Sequence, residues 1–194
     1  KLSSRILKTT RTETSMLSSG SVIDLQSILK LSETIAQEVR LEKLIKKIFR
    51  LVMINIGAEK AMLVLRKEGE FYIEGVEDTK TNHSEILQST PLAESTQLPH
   101  TIINHVYKQG ESFVSGNINQ EKRYKDNIYY RKNKALSVLC SPIIHKNVCV
   151  GVLYMENNSL ENAFTNERLE LLKLLSTSME VSIENARLYE KKEK

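Results

Sequence analysis

Ser137-Val-Leu-Cys-Ser-Pro-Ile-Ile-His-Lys-Asn-Val-Cys-Val-Gly-Val-Leu-Tyr-Met-Glu156 decides the fold. Two apolar runs flank Lys146-Asn147, a pair suited to a tight turn, so the stretch reads as a β-hairpin of buried strands. A helix follows, starting near Ala163-Phe-Thr-Asn-Glu-Arg168 and reaching Tyr189 without a glycine or proline. A helix that outlives its own sheet has surface left for something else, most simply a second copy of the chain. That favours a relay module over a self-contained enzyme.

Outward from the hairpin, the pattern changes several times. Residues 1–21 are rich in Ser, Thr, Lys and Arg and are expected to be a linker or frayed extension. From Val22, with Asp24 able to cap, the residues Leu25, Ile28, Leu29, Ser32, Ile35, Ala36 and Val39 form one apolar helical stripe. A second helix spans about Leu41 to Ile56, with Gly57 placed to end it. The period then switches to strands: Ala61 to Leu65, a turn over Lys67 to Glu70, and the alternating run from Phe71. Residues 78–98 are polar, hold Pro91 and read as a long loop. Leu98-Pro99 opens a short helix carrying Ile102, Ile103, Val106 and Tyr107, and Gly110 closes it. Ser112 to Ser115 reads as a brief strand, and 117–134 as a short helix plus loop bearing Tyr124, Tyr129 and Tyr130. Antiparallel hairpins with helices before, between and after them make an α+β domain around one central sheet.

Bulk properties set the remaining bounds. A chain of 194 residues, 40% hydrophobic, supports one ordinary core. A net charge of +4 is small against 28 basic and 24 acidic side chains, so no nucleic-acid partner is expected. No apolar run approaches the roughly 20 residues a membrane span needs. The opening Lys1-Leu-Ser-Ser-Arg-Ile lacks both a signal-peptide core and an initiator Met, so the chain reads as a piece of a longer protein. With the turn at Lys146-Asn147, Cys149 pairs near Ile144 and Cys140 near Leu153. The two sulfurs are therefore not opposite, and unlinked cysteines fit a reducing, cytoplasmic setting. No phosphate-binding glycine loop and no nucleophile elbow is present. His100 and His105 lie about 140° apart around a helix, and His83 and His145 stand alone, so neither a metal site nor any other cofactor is expected. No catalytic residue is assigned.

The hairpin and final helix resemble a GAF domain, of the type found in large bacterial signalling proteins with kinase or nucleotide cyclase outputs. The residues that carry the likeness are Ser137 to Ile143, Gly151-Val-Leu-Tyr-Met-Glu-Asn-Asn158, Ala163-Phe-Thr165, Glu167 to Ser176 and Ile183-Glu-Asn-Ala-Arg-Leu-Tyr189. The front half agrees through Leu41-Glu-Lys-Leu-Ile45, Gly57-Ala-Glu-Lys-Ala61 and Leu98-Pro-His-Thr-Ile-Ile103, so that the domain spans 22–189 and 190–194 begins a downstream linker. The resemblance implies a GAF-like central antiparallel sheet of five or six strands. Terminal helices would pack on one face, and a pocket-side helix and loops on the other. Cyclic-nucleotide-binding members follow an Asn-Lys pair with a Phe and an Asp-Glu; Asn133-Lys134 is followed by neither. Bilin-binding members carry a pocket cysteine often followed by His, whereas Ser141 follows Cys140 and Val150 follows Cys149.

Regular alternation from the turn divides the hairpin into two faces. Val138, Cys140, Pro142, Cys149, Gly151, Leu153 and Met155 form one, with Gly151 admitting a close helix. Ser137, Leu139, Ser141, Ile143, Val150, Val152, Tyr154 and Glu156 form the other. The second face mixes apolar wall with a few polar groups, as a small-molecule pocket does. The candidate ligand-binding residues are thus Ser137, Leu139, Ser141 and Tyr154, closed over by Ser115, Tyr124, Tyr129 and Tyr130. On the last helix, Leu172, Leu175, Met179, Ser182, Ala186 and Tyr189 share one side, and Leu171, Leu174, Val181 and Leu188 another. A homodimer is expected through Leu25, Ile28, Leu172, Leu175, Met179 and Ala186.

Three functions stay open. One is a non-catalytic sensory domain that binds an unidentified small molecule and relays to an output domain in the same polypeptide. The second is a ligand-free structural dimerisation module. The third is a small enzyme like the methionine sulfoxide reductases built on this fold, which need closely arranged redox cysteines.

Overall fold

Among the described residues, six strands form one antiparallel sheet in the order β3-β2-β1-β6-β5-β4. They are β1 (Lys60–Lys67), β2 (Glu70–Asp78), β3 (His83–Pro91), β4 (Phe113–Ser115), β5 (Ser137–His145) and β6 (Val148–Asn157). This is a computed structural model that describes residues 25–96, 98–124 and 126–193. The expected linker at 1–21 and the helix start at 22–24 lie outside the described residues, as do the side chains of Leu25 and Gln88.

Helices α1 (Leu25–Ala36), α2 (Leu41–Leu51) and α5 (Asn166–Lys192) cover one face of the sheet. The amphipathic stripe of α2, Leu41, Leu44, Ile45, Ile48 and Phe49, is wholly buried against Leu63, Leu65, Leu153 and Met155 of the central strands. Each such side chain taken fully out of water contributes about 2 kcal/mol. Past Leu51 the helix loosens into a π-helical turn, Val52–Ile56, before Gly57 ends it. Helix α5 is capped at its start, where Thr165 Oγ1 accepts from the Arg168 N–H at 3.4 Å. It runs to Lys192, beyond the expected end at Tyr189.

The opposite face is covered by α3 (His100–Gln109), α4 (Ile128–Asn133) and the loops around them. Ile102, Ile103 and Val106 of α3, with Tyr129 and Tyr130 of α4, pack on Met62, Val64, Val138, Cys140, Val152 and Tyr154. The α+β architecture and the placement of the terminal helices follow the expectation from sequence.

Three local expectations do not hold. The stretch read as a long polar loop contains β3, paired antiparallel with β2 from Tyr72↔Pro91 to Asp78↔His83. β3 is an edge strand, so its outer side meets water and its sequence stays polar, which hides the strand signal. Leu87 and Ser89 have φ of 59° and 45°, and these kinks break the alternation further. In the main hairpin, Ile144 pairs with Cys149 but Ile143 pairs with Gly151, so Val150 is skipped in a bulge. That one-residue slip turns β5 over relative to β6. Val138 and Cys140, rather than Leu139, share a face with Val152 and Tyr154. Finally, the backbone beside Gly151 is strand, not helix: a Cβ there would lie 2.6 Å from the Val64 carbonyl oxygen of β1.

Candidate functional site

Lys60 and Glu156 face each other across the β1–β6 pairing at the end of the sheet under α4. Glu156 has 0% exposure. Its Oε1 accepts from the Tyr154 hydroxyl at 2.8 Å and from the Tyr129 hydroxyl. Lys60 Nζ donates to the Tyr129 oxygen at 3.0 Å and lies 5.2 Å from the centre of that ring. The Tyr130 hydroxyl stands 3.3 Å from that of Tyr154. The rings of Tyr129 and Tyr130 meet edge to face at 5.4 Å, and those of Tyr129 and Tyr154 at 6.4 Å.

Burial raises the Glu156 carboxyl above its ordinary range, opposed by the Lys60 charge and by hydrogen bonds from Tyr129, Tyr154 and Asn158. Burial likewise pushes the phenols of Tyr129, Tyr130 and Tyr154 far above their ordinary range, the carboxyl adding to the rise. All three are hydrogen-bond donors at physiological pH, not bases. Glu156 Oε2 and Asn158 Oδ1 are buried without a hydrogen-bond partner among the described residues.

Directly over this cluster is a cleft of about 220 Å³, bounded by Lys60, Met62, Val76, Asp78, His83, Thr96, Tyr129, Lys132 and Asn133. Met62, Val76 and the Tyr129 ring are its apolar surfaces, and Lys60, Lys132 and His83 supply cationic capacity. Its acid, Asp78, already accepts the backbone N–H groups of Lys80 and Thr81 at 2.9 and 3.2 Å.

Of the ligand-binding residues expected from sequence, Tyr129 borders the cleft, and Tyr130 and Tyr154 lie beneath it. Tyr124 belongs to the same core, edge-on to Phe113 at 5.2 Å, with its hydroxyl buried and unpartnered among the described residues. Ser115, on the edge strand β4, donates to Glu121 at 3.0 Å. The bulge carries the other three away. Leu139 is in the helix-side core. Ser137 Oγ lies 2.7 Å from the Leu160 carbonyl oxygen and accepts from the Ala163 N–H at 3.1 Å. Ser141 Oγ lies 3.0 Å from Ser112 Oγ, beside α5. Sequence reasoning did not assign Lys60, Asp78, His83, Lys132 or Asn133 to the pocket. Glu156 it placed beside Tyr154, and an acid closing an apolar strand was the available signal.

The residues assigned to dimerisation are also relocated. Leu172, Leu175, Met179 and Ala186 are at most 1% exposed and pack in the monomer's own helix-side core. Ile28 packs partly buried against the same core, and the Leu25 side chain lies outside the described residues. Outside lie Leu174, Val181 and Leu188, exposed at 57%, 46% and 56% and spaced seven residues apart along one line of the helix, with Tyr189 exposed beside Leu188.

Cys140 and Cys149 are free, and burial raises both thiols above their ordinary range. Among the described residues no group of three His, Cys, Asp or Glu side chains is arranged for a metal, and no helix is long and apolar enough to cross a membrane.

Comparison with known proteins places this geometry in a family. A family model described as GAF domain matches residues 40–183. The hybrid signal transduction histidine kinase G of Dictyostelium discoideum is 34% identical over 89 residues, 46% of this chain and 3% of that protein. The peroxide stress-activated histidine kinase mak3 of Schizosaccharomyces pombe is 25% identical over 178 residues, 91% of this chain and 8% of that protein. The chain thus spans a small fraction of the length of these curated relatives. Among solved structures, the GAF domain of an Acinetobacter phosphoenolpyruvate-protein phosphotransferase has a TM-score of 0.64 at 16% identity, covering 87% of this chain and 97% of that one. The free methionine-R-sulfoxide reductase of Neisseria meningitidis, solved with its substrate, has a TM-score of 0.57 at 17% identity, covering 84% of this chain and 89% of that one. At these identities the structural likeness speaks to the fold alone. The family model takes in most of the chain, and its kinase relatives are signalling proteins: the chain belongs to the GAF domain family.

Proposed function

We propose that this GAF domain is a non-catalytic cytoplasmic sensor within a larger signalling protein. A small molecule enters the cleft over Tyr129, and a homodimer joined along α5 passes the change to an output domain in the same polypeptide. The observation that carries this reading is the path from cleft to helix. β6 passes beneath the cleft at Glu156, ends at Asn157 and leads through Asn158 into the loop that starts α5. Asn157 Oδ1 accepts from the N–H groups of Ser159 and Leu160 at 3.0 and 2.8 Å, and its Nδ2 donates to the Gly57 carbonyl at 2.9 Å. Asn158 Nδ2 reaches the Asn133 carbonyl of α4 at 3.4 Å. A shift of α4 over an occupied cleft has a hydrogen-bonded route to α5. The kinase relatives support the signalling context.

Helix α5 suits the relay. The His145 ring pairs with Glu180 at 2.5 Å, tying it to the β5–β6 turn. Arg187 donates to the Arg66 carbonyl at 2.7 Å, tying it to β1. The line of Leu174, Val181 and Leu188 would then meet its symmetry mate as a coiled-coil seam does.

A ligand-free dimerisation module is the second reading. It is favoured by Tyr129 and Tyr130, at 6% and 1% exposure, whose rings already fill much of the sheet face beside the cleft. Differential scanning fluorimetry of the chain against a library of small metabolites separates the two. A saturable rise in melting temperature that Lys132→Ala weakens supports the sensor. A library that shifts nothing supports the structural module.

A further inference from the structure

Lys60 serves two sites at once. It borders the cleft, and it is the cation facing the buried Glu156 carboxylate. Its hydrogen bond, however, goes to a neutral phenol, that of Tyr129. The cleft's other cationic groups are Lys132 and His83, the latter 3.4 Å from Glu85, and its acid, Asp78, is engaged by backbone N–H groups. Among the lining side chains the two lysines outnumber the one carboxylate, so the polar side of the cleft favours negative charge.

We propose, resting on the sensor reading above, that the ligand is a small organic carboxylate whose negative group sits on Lys60 and Lys132, and that its binding draws a proton onto Glu156. The physics is a competition for one ammonium. A buried carboxylate stays ionised only while a counter-charge offsets its lost hydration. When a ligand anion takes Lys60, that offset weakens and the neutral acid becomes the cheaper state. One solvent proton then adds to Glu156 Oε2, while Oε1 keeps the bonds from Tyr129 and Tyr154. Protonation turns Oε2 from an unpartnered acceptor into a donor. Asn158, whose side chain reaches this carboxyl, carries the second unpartnered acceptor, Oδ1. The change at Oε2 falls beside Asn158, the residue that links α4 to the loop before α5.

The groups facing Glu156 are Lys60 from β1, Tyr129 and Tyr130 from α4, Tyr154 on its own strand and Asn158 beyond it, with Asp78 acting on Tyr129 from β2. Because the complex holds more protons than the free chain, affinity rises as pH falls. His83 would give the same sign if it bound the anion, so it needs its own control.

The test is calorimetric titration of the chain with acetate, succinate and benzoate, each in two buffers of different ionisation enthalpy, between about pH 5 and pH 8. The expected result is binding by at least one probe with uptake of roughly half to one proton. Uptake vanishes in Glu156→Gln and persists in His83→Gln, and Lys60→Met weakens binding about tenfold or more. Binding without proton uptake, or with uptake retained in Glu156→Gln, overturns the proposal while the sensor reading stands. No binding by any probe overturns the carboxylate proposal, and if the metabolite library also shifts nothing, the sensor reading falls with it. Should Glu156→Gln fail to fold, carboxyl-carbon NMR of the wild-type chain decides. An upward shift of the Glu156 midpoint on adding the bound probe supports the proposal, and an unmoved midpoint overturns it.

Discussion

Tyr129 stands between Lys60 and Glu156, accepting a hydrogen bond from the first at 3.0 Å and donating one to the second. A single phenol thereby joins α4 to both central strands and forms the boundary between an open cleft and a buried acid.

Tyr129→Phe removes the acceptor for Lys60 and one of two phenol donors to a wholly buried carboxyl. Leaving such a group short of a partner costs about 1–3 kcal/mol. Urea unfolding should show that loss in the midpoint. Lys60→Met, which removes the counter-charge, should cost at least as much at neutral pH.

Glu156 supplies a pH dependence with a definite sign. Its folded-state pKa is raised above the ordinary value of 4.5. The folded chain therefore holds more protons than the unfolded one just above that value, and stability falls as pH rises through the folded pKa. Glu156→Gln retains the oxygen that accepts from the two phenols and never ionises. We expect its urea midpoint to lack this fall and to exceed that of the wild type at neutral pH, by about 1–3 kcal/mol in stability. A wild-type midpoint that rises over the same range, with Glu156→Gln following it, would contradict the assignment.

Helix α5 carries both core positions and the exposed line proposed as the dimer seam. Leu175→Ala opens a cavity at a position with 0% exposure and should cost about 2–5 kcal/mol. Val181→Glu, on the exposed line, should leave the monomer's melting temperature nearly unchanged and abolish the dimer in analytical ultracentrifugation. A dimer that survives the double change Leu174→Glu and Val181→Glu would rule out this seam.

Gly75 is a point of close approach between β2 and α2. A Cβ there would sit 2.9 Å from the Phe49 ring and 3.0 Å from Ile45. Gly75→Ala should destabilise by about 1–3 kcal/mol, since both neighbours are packed in the core. Combining it with Phe49→Leu should recover part of that loss.

The core was largely legible because burial leaves a periodic trace. The α2 stripe and the order of hairpins could be read from where apolar residues recur, and Pro99 and Gly110 delimited α3. What escaped was information carried by geometry rather than by residue type. A bulge that skips Val150 leaves composition untouched yet exchanges the faces of β5, moving Leu139 away from Tyr154. An edge strand such as β3 has no second neighbour to demand apolar residues. The cleft gathers Lys60, Asp78, His83 and Lys132 from β1, β2, β3 and α4, and nothing along the chain marks them as neighbours. On α5 both apolar lines were visible, but which one met the sheet depended on the packing of α1 and α2.

Native mass spectrometry of the purified chain, followed by denaturation of the same sample, tests the central claim most directly. The account predicts a dimer that carries a small molecule, released on unfolding, and that dissociates when Val181 is made Glu. A monomer at every concentration, or a dimer that neither carries nor takes up any small molecule, would contradict it.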